Sequence, residues 1–193
     1  MENKVIIYTD GGCYNNGDRK GDGSCAFLIK NEELGYVDVV CEYIDNTTNN
    51  RTEMKAVINA IKYVNKHMPD VRDITIVSDS GYLVKGFTDP SYMDKWIANG
   101  WRTYGDKPVK NVDMWKELYK LSWHNHLEFI HIRGHNKDKN EIHAFYNDIC
   151  DRACTHMLSE LNYPGFIVTL RYPLSTYTKS FGVLSCKLSD ERS

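Results

Sequence analysis

The 193-residue chain has no long apolar run, no CxxC pair and no strong net charge of either sign, and each absence removes a class of protein. Met1 to Lys4 lead straight into Val5-Ile6-Ile7-Tyr8 with no basic leader. No stretch approaches the roughly twenty apolar residues of a membrane span, so a soluble, cytoplasmic protein is expected. The six cysteines (Cys13, Cys25, Cys41, Cys150, Cys154, Cys186) show no paired spacing, and without an export signal free thiols are expected rather than a disulfide framework. Cys150 and Cys154 would share a helix face, but no further Cys or His stands at zinc spacing, and zinc is discounted. A net charge of −2 argues against a uniformly basic surface made to coat a polyanion. The charge is unevenly placed, however. Lys95, Arg102, Lys107, Lys110, Lys116 and Lys120 face only Asp106, Asp113 and Glu117 between residues 95 and 120, which predicts a local basic face.

At 41% hydrophobic and 26% charged residues, the length suits one main core. Apolar β-favouring runs at 4–9, 24–30 and 36–44, separated by turn residues, predict an antiparallel meander. From Arg51 to His67 the period becomes helical, with Met54, Val57, Ile58, Ile61 and Val64 on one face. A strand at 74–78, helices at 80–86, 91–98 and 112–123, and a strand at 127–132 follow. A last helix at 142–161 carries Phe145, Ile149, Ala153 and Met157 at spacings of four. The expected order is β-β-β-α-β-α-α-α-β-α. The pattern changes over residues 162–193, where strands at 166–172 and 181–188 around a turn suggest a β-hairpin appendage too small for its own core. We therefore expect a domain at 1–161 and an extension at 162–193. Tyr163, Phe166, Tyr172, Tyr177 and Phe181 would either cover the sheet or last helix, or offer an aromatic face for a partner or for self-association of an otherwise monomeric chain.

Four acidic residues stand out, although each has an ordinary explanation. Asp10 before two glycines reads as a turn, Glu53 as part of a helix cap, Asp79 as an N-cap and Asp151 as a solvated helix residue. Together they read differently. Asp10 and Asp79 follow apolar strands, Glu53 lies one helical turn before Val57 and so faces the sheet, and Asp151 shares its helix with Ile149 and Ala153. Converging carboxylates repel one another unless a cation sits between them, and an oxygen-only set suits Mg²⁺, with Mn²⁺ as the alternative.

YTDGGCYNN (8–16), TTNNRTE (47–53), SDS (78–80), GWRT (100–103), DKPVKNVDMW (106–115), RGH (133–135) and NDICD (147–151) resemble, in order and approximate spacing, the motifs of type 1 ribonuclease H. The resemblance covers about residues 4–160. It implies an α/β fold with a five-stranded mixed sheet, three strands antiparallel and two parallel, flanked by helices. It also implies hydrolysis of the RNA strand of RNA–DNA hybrids by two divalent cations, leaving 5′-phosphate and 3′-hydroxyl ends. Asp10, Glu53, Asp79 and Asp151 match the metal-binding carboxylates, and His135 the histidine that relays a proton or assists product release. Cys13, Asn16, Asn49 and Asn50 match positions that read the 2′-hydroxyl in a wide minor groove, with Gly11 and Gly12 allowing close backbone approach. Trp101 and Tyr92 match the surface under the DNA strand, where Thr48 and Ser80 help to hold a phosphate, with Lys110 nearby. Trp96 and Trp115 read as core.

The chain departs from the family pattern in places. Ile97-Ala98-Asn99 replaces a basic run in the substrate-gripping handle, which predicts weaker and less salt-dependent binding. Lys95 stands where asparagine is usual and Gly81 where glutamine is usual. The 134–147 loop is longer than in compact bacterial members, and with the first strand at residue 4 no preceding hybrid-binding module is expected. Two other readings remain: a catalytically silent hybrid-binding module, which has no use for four carboxylates facing phosphate, and a relative that cleaves double-stranded RNA.

Overall fold

The computed structural model describes residues 4–14, 20–31, 35–133, 142–160 and 167–173. In chain order it runs β1 (Lys4–Cys13), β2 (Gly21–Asn31), β3 (Tyr36–Thr47), α1 (Asn49–His67), β4 (Asp73–Ser78), α2 (Gly81–Thr88), α3 (Met93–Ala98), α4 (Val112–Leu121), β5 (His126–His131), α5 (Ile142–Glu160) and β6 (Ile167–Pro173). All six strands form one sheet in the order β5-β4-β1-β2-β3-β6. The pairs β1–β4 and β4–β5 are parallel, and β1–β2, β2–β3 and β3–β6 are antiparallel.

The periodic apolar residues divide between the two faces of this sheet. On one face Met54, Val57, Ile58, Ile61 and Val64 of α1 join Trp115 and Leu118 of α4 over Ile7, Phe27, Ile29, Ile74 and Ile76. On the other, Ile149, Cys150, Cys154, Met157 and Leu158 of α5 cover Tyr8, Ala26, Leu28, Val39, Cys41 and Val77. Side chains alternate across a strand, which is why Ile7 and Tyr8 belong to different clusters. The buried cysteines act as helix–sheet contacts: Cys150 Sγ lies 3.4 Å from Tyr8 O, and Cys154 Sγ 3.6 Å from Asp10 O. Burial pushes both thiols well above the ordinary range, which keeps them unreactive. Among the described residues, no helix is long and apolar enough to cross a membrane.

Two expectations are corrected. The sheet has six strands rather than five, because β6 adds to the β3 edge, from Tyr36 opposite Pro173 to Glu42 opposite Ile167. Its anchor is the buried Asp38, whose carboxylate accepts two hydrogen bonds from Arg171, at 2.6 and 2.7 Å, and one from the Tyr63 hydroxyl at 3.0 Å. The Arg171 guanidinium also lies over the Tyr36 ring, 3.9 Å from its centroid. The second correction concerns β1, which does not end at Asp10-Gly11-Gly12. These residues continue the antiparallel ladder opposite Ala26, Cys25 and Ser24. The expected strand at 181–188 lies outside the described residues, as do Tyr163, Phe166, Tyr177 and Phe181.

Candidate active site

The site forms where the sheet's parallel half stops and its antiparallel half runs on. The β1–β4 ladder ends at Thr9 opposite Ser78, so Asp10, still on β1, and Asp79, just past β4, stand one residue beyond the same rung. Glu53 comes from the second turn of α1, whose first turn rests on the β1 backbone. A methyl group on Gly11 would strike the Glu53 amide nitrogen and the Thr52 carbonyl carbon, so only glycine permits this approach. Gly11 therefore serves helix–strand packing first, whereas Gly12 has room. On the opposite side, Ser24 Oγ donates to Cys154 O at 2.9 Å and helps lay α5 across β1 and β2, which carries Asp151 to the same place.

Asp10, Glu53, Asp79 and Asp151 thus line one cleft of about 300 Å³, together with Gly11, Gly12, Cys13 and Asn49. Burial and crowding together show in the proton affinities. The Asp10 carboxyl is pushed well above the usual carboxylate range, by burial first and then by Asp79, with Asp151 and Glu53 adding, against the lowering effect of the Gly11 N–H at 2.7 Å. Glu53 is pushed up to about 7, chiefly by burial and further by Asp79, against hydrogen bonds from Ser80 and Asn49. Its Oε1 accepts from Asn49 Nδ2 at 2.7 Å and its Oε2 from the Ser80 hydroxyl.

Among the described residues, no group of three or more His, Cys, Asp or Glu side chains is gathered tightly enough to enclose an ion as it stands. The carboxylates ring the cleft. Glu53 is held in place by its two donors, Asn49 and Ser80. The donor chemistry nonetheless fits a hard divalent cation: carboxylates dominate the lining, with Asp148 beside the four expected, one thiol in Cys13 and no imidazole among the described residues.

The remaining expected site residues are more dispersed. Cys13 and Asn49 line the cleft, and Ser80 borders it through Glu53. Thr48 is the N-cap residue of α1 and Asn50 lies in that helix's first turn. Tyr92 packs edge-on against Trp96 at 5.6 Å and lies under the Lys85 ammonium at 5.7 Å. Trp101 is half-buried at left-handed backbone angles, edge-on to Tyr119 at 6.1 Å, with the Lys116 ammonium 5.8 Å from its ring. Lys110 is exposed, and its carbonyl accepts from the Tyr82 hydroxyl at 3.2 Å. None of Thr48, Asn50, Tyr92, Trp101 or Lys110 lines the carboxylate cleft. Trp115 is fully buried and Trp96 partly so. Asn16 and His135 lie outside the described residues.

Sequence reasoning missed Arg133, Asn147 and Asp148, which also line the cleft. Asp148 pairs with Arg152 at 2.6 Å, and the buried Asn147 Oδ1 accepts no hydrogen bond from the described residues. Asn147 stands one helical turn before Asp151 on α5, and that spacing was the available signal.

A sequence profile of the RNase H family matches residues 2–159. A ribonuclease H of Acetivibrio thermocellus is 36% identical over 152 residues, which is 79% of this chain and 92% of that protein. LC9-RNase H1, a type 1 RNase H with the type 2 active-site motif, superposes with a TM-score of 0.70 at 20% identity, over 92% of this chain and 82% of its own. LC11-RNase H1, solved in complex with an RNA/DNA hybrid, gives a TM-score of 0.53 at 22% identity, over 80% of this chain and 99% of its own.

Proposed function

Because the chain belongs to the ribonuclease H family, we propose that it hydrolyses the RNA strand of RNA–DNA hybrids, with Asp10, Glu53, Asp79 and Asp151 holding two divalent cations. The observation that carries this reading is the gathering of those four carboxylates on one cleft, where burial first and neighbouring carboxylates second make Asp10 and Glu53 retain protons far more readily than free carboxylates do. A cation bound there would replace those protons, polarise the scissile phosphate and lower the pKa of a bound water. The oxygen-only donor set favours Mg²⁺, with Mn²⁺ as the alternative.

The chain's own groups set the geometry. Asp10 lies on β1, Glu53 on α1 and Asp151 on α5, which packs on β1, so three of the four carboxylates sit on rigid elements, and Asp79 directly follows β4. Attack by water requires no covalent protein intermediate, and in-line displacement would leave 5′-phosphate and 3′-hydroxyl ends. Cys13 and Asn49, at the rim of the cleft, are suited to meet the RNA strand, and Asn16 and Asn50 join them by resemblance. We assign proton relay or product release to His135 on the RGH motif alone. Trp101 and Tyr92, with Thr48 and Lys110, would support the DNA strand beyond the carboxylates. We place the catalytic domain at residues 1–161 and read 162–193 as an extension.

The test is a cleavage panel in Mg²⁺ on hybrid, duplex RNA, single-stranded RNA and duplex DNA. Only the RNA of the hybrid should be cut. Asp10→Asn should lower the rate by at least ~10²-fold, the order seen when a preorganised electrostatic group is lost. An unchanged rate in that variant removes Asp10 from the mechanism.

A further inference from the structure

The resemblance assigns Ser80 to a phosphate of the nucleic acid, but the structure directs its hydroxyl elsewhere. Ser80 is buried, at 4% exposure, on the residue between Asp79 and the first turn of α2. Its oxygen accepts the Leu83 N–H at 3.3 Å, which caps α2. A serine hydroxyl has one proton to donate, and here that proton goes to Glu53 Oε2. Asn49, one turn before Glu53 on α1, donates Nδ2 to the other oxygen at 2.7 Å. Both oxygens of one carboxylate are therefore held by donors from two different places in the fold.

The need for such a clamp is clear from the charges around it. Glu53 has three rotatable side-chain bonds, and Asp79 faces it with like charge. An unclamped Glu53 would turn away from the acidic cleft toward water. We infer that Ser80, with Asn49 as second donor, is a positioning residue that fixes the Glu53 carboxylate for cation binding, and that its hydroxyl acts through Glu53 rather than on the nucleic acid. This inference rests on the assignment of Glu53 to the cation site.

Two readouts test it on the full chain: Mn²⁺ binding without substrate, followed by electron paramagnetic resonance, and steady-state cleavage of hybrid in Mg²⁺. Ser80→Ala should weaken Mn²⁺ binding by about tenfold, the order of one lost charge-assisted hydrogen bond, and lower kcat while the KM for hybrid stays unchanged. Ser80→Gly keeps most of the α2 capping preference but has no donor, and should track Ser80→Ala in metal binding with a smaller loss of stability. Ser80→Thr keeps the hydroxyl and should restore both metal affinity and kcat.

A rise in KM with Mn²⁺ affinity intact would make Ser80 a substrate contact and overturn the inference. So would a folded Ser80→Thr that fails to restore either quantity. Glu53→Gln separates the two levels of the argument. If that variant binds Mn²⁺ normally, the assignment of Glu53 falls and the inference goes with it. If it loses Mn²⁺ binding while Ser80→Ala and Ser80→Gly do not, only the role of Ser80 falls.

Discussion

Replacing Glu53 by glutamine should make the metal-free protein more stable, and the gain should depend on pH in a defined way. The folded-state pKa of about 7 stands above the ordinary 4.5, so the folded protein penalises the charged form. For a raised carboxylate the penalty is absent below about 4.5, grows as pH climbs toward 7 and is complete above it. At roughly 1.4 kcal/mol per tenfold change in proton affinity, the span from 4.5 to about 7 corresponds to about 3 kcal/mol against folding at pH 8.5 and under about 1 kcal/mol at pH 5. Glutamine keeps the shape and an acceptor but cannot ionise, so it escapes the penalty. For a chain of this size, about 3 kcal/mol is roughly 6–12 °C in Tm. The assay is a set of thermal melts in chelator from pH 5 to pH 8.5, repeated in Mg²⁺. The variant should melt near the wild type at pH 5 and well above it at pH 8.5, and Mg²⁺ should stabilise the wild type more than the variant. If the Glu53→Gln curve runs parallel to the wild type at all pH values, the site does not penalise the Glu53 charge, through burial or through Asp79, and the electrostatic argument for the site fails.

Two further expectations concern what holds the site and the sheet together. Gly11→Ala forces a methyl group into the α1 backbone and should cost about 3 kcal/mol, at the upper end for overpacking, with loss of cleavage beyond what residual unfolding explains; a chemical melt paired with an activity assay on the folded fraction checks it. Arg171→Ala strips the buried Asp38 of its charged partner, and about 2 kcal/mol should be lost, less than for a fully buried pair because Arg171 is itself more than half exposed. Adding Asp38→Asn to that variant should recover much of the loss in urea melts, because the uncompensated charge is then gone.

How much of this was legible beforehand depends on the distance over which each interaction acts. The helical period of Met54, Val57, Ile58, Ile61 and Val64 is local, and the structure buries that face as expected. The strand beginning at Lys4 was equally plain, yet its end was misplaced. Asp10-Gly11-Gly12 carries a turn signal, and the signal loses to pairing with Ala26, Cys25 and Ser24 on the neighbouring strand, a partner no local rule can see. The sixth strand was foreseen as a strand but not as part of the main sheet. Its place is decided by the β3 edge and by Asp38, 133 residues before Arg171.

The candidate site divides in the same way. Side-chain chemistry at strand ends and helix faces pointed to Asp10, Glu53, Asp79 and Asp151 as a set, and the resemblance of the motifs around them to type 1 ribonuclease H marked them as expected cation ligands. Only the folded chain decided what surrounds them: that Ser80 caps α2 and grips Glu53, that Gly11 serves α1, that Arg133 and Asn147 complete the cleft, and that Trp101 packs beside Tyr119 away from it. Periodicity records which face of an element is buried, since that depends on neighbours a few residues away. Which donor meets which carboxylate depends on sheet register and loop closure between residues tens of positions apart, and those are properties of the whole chain's packing rather than of any segment in it.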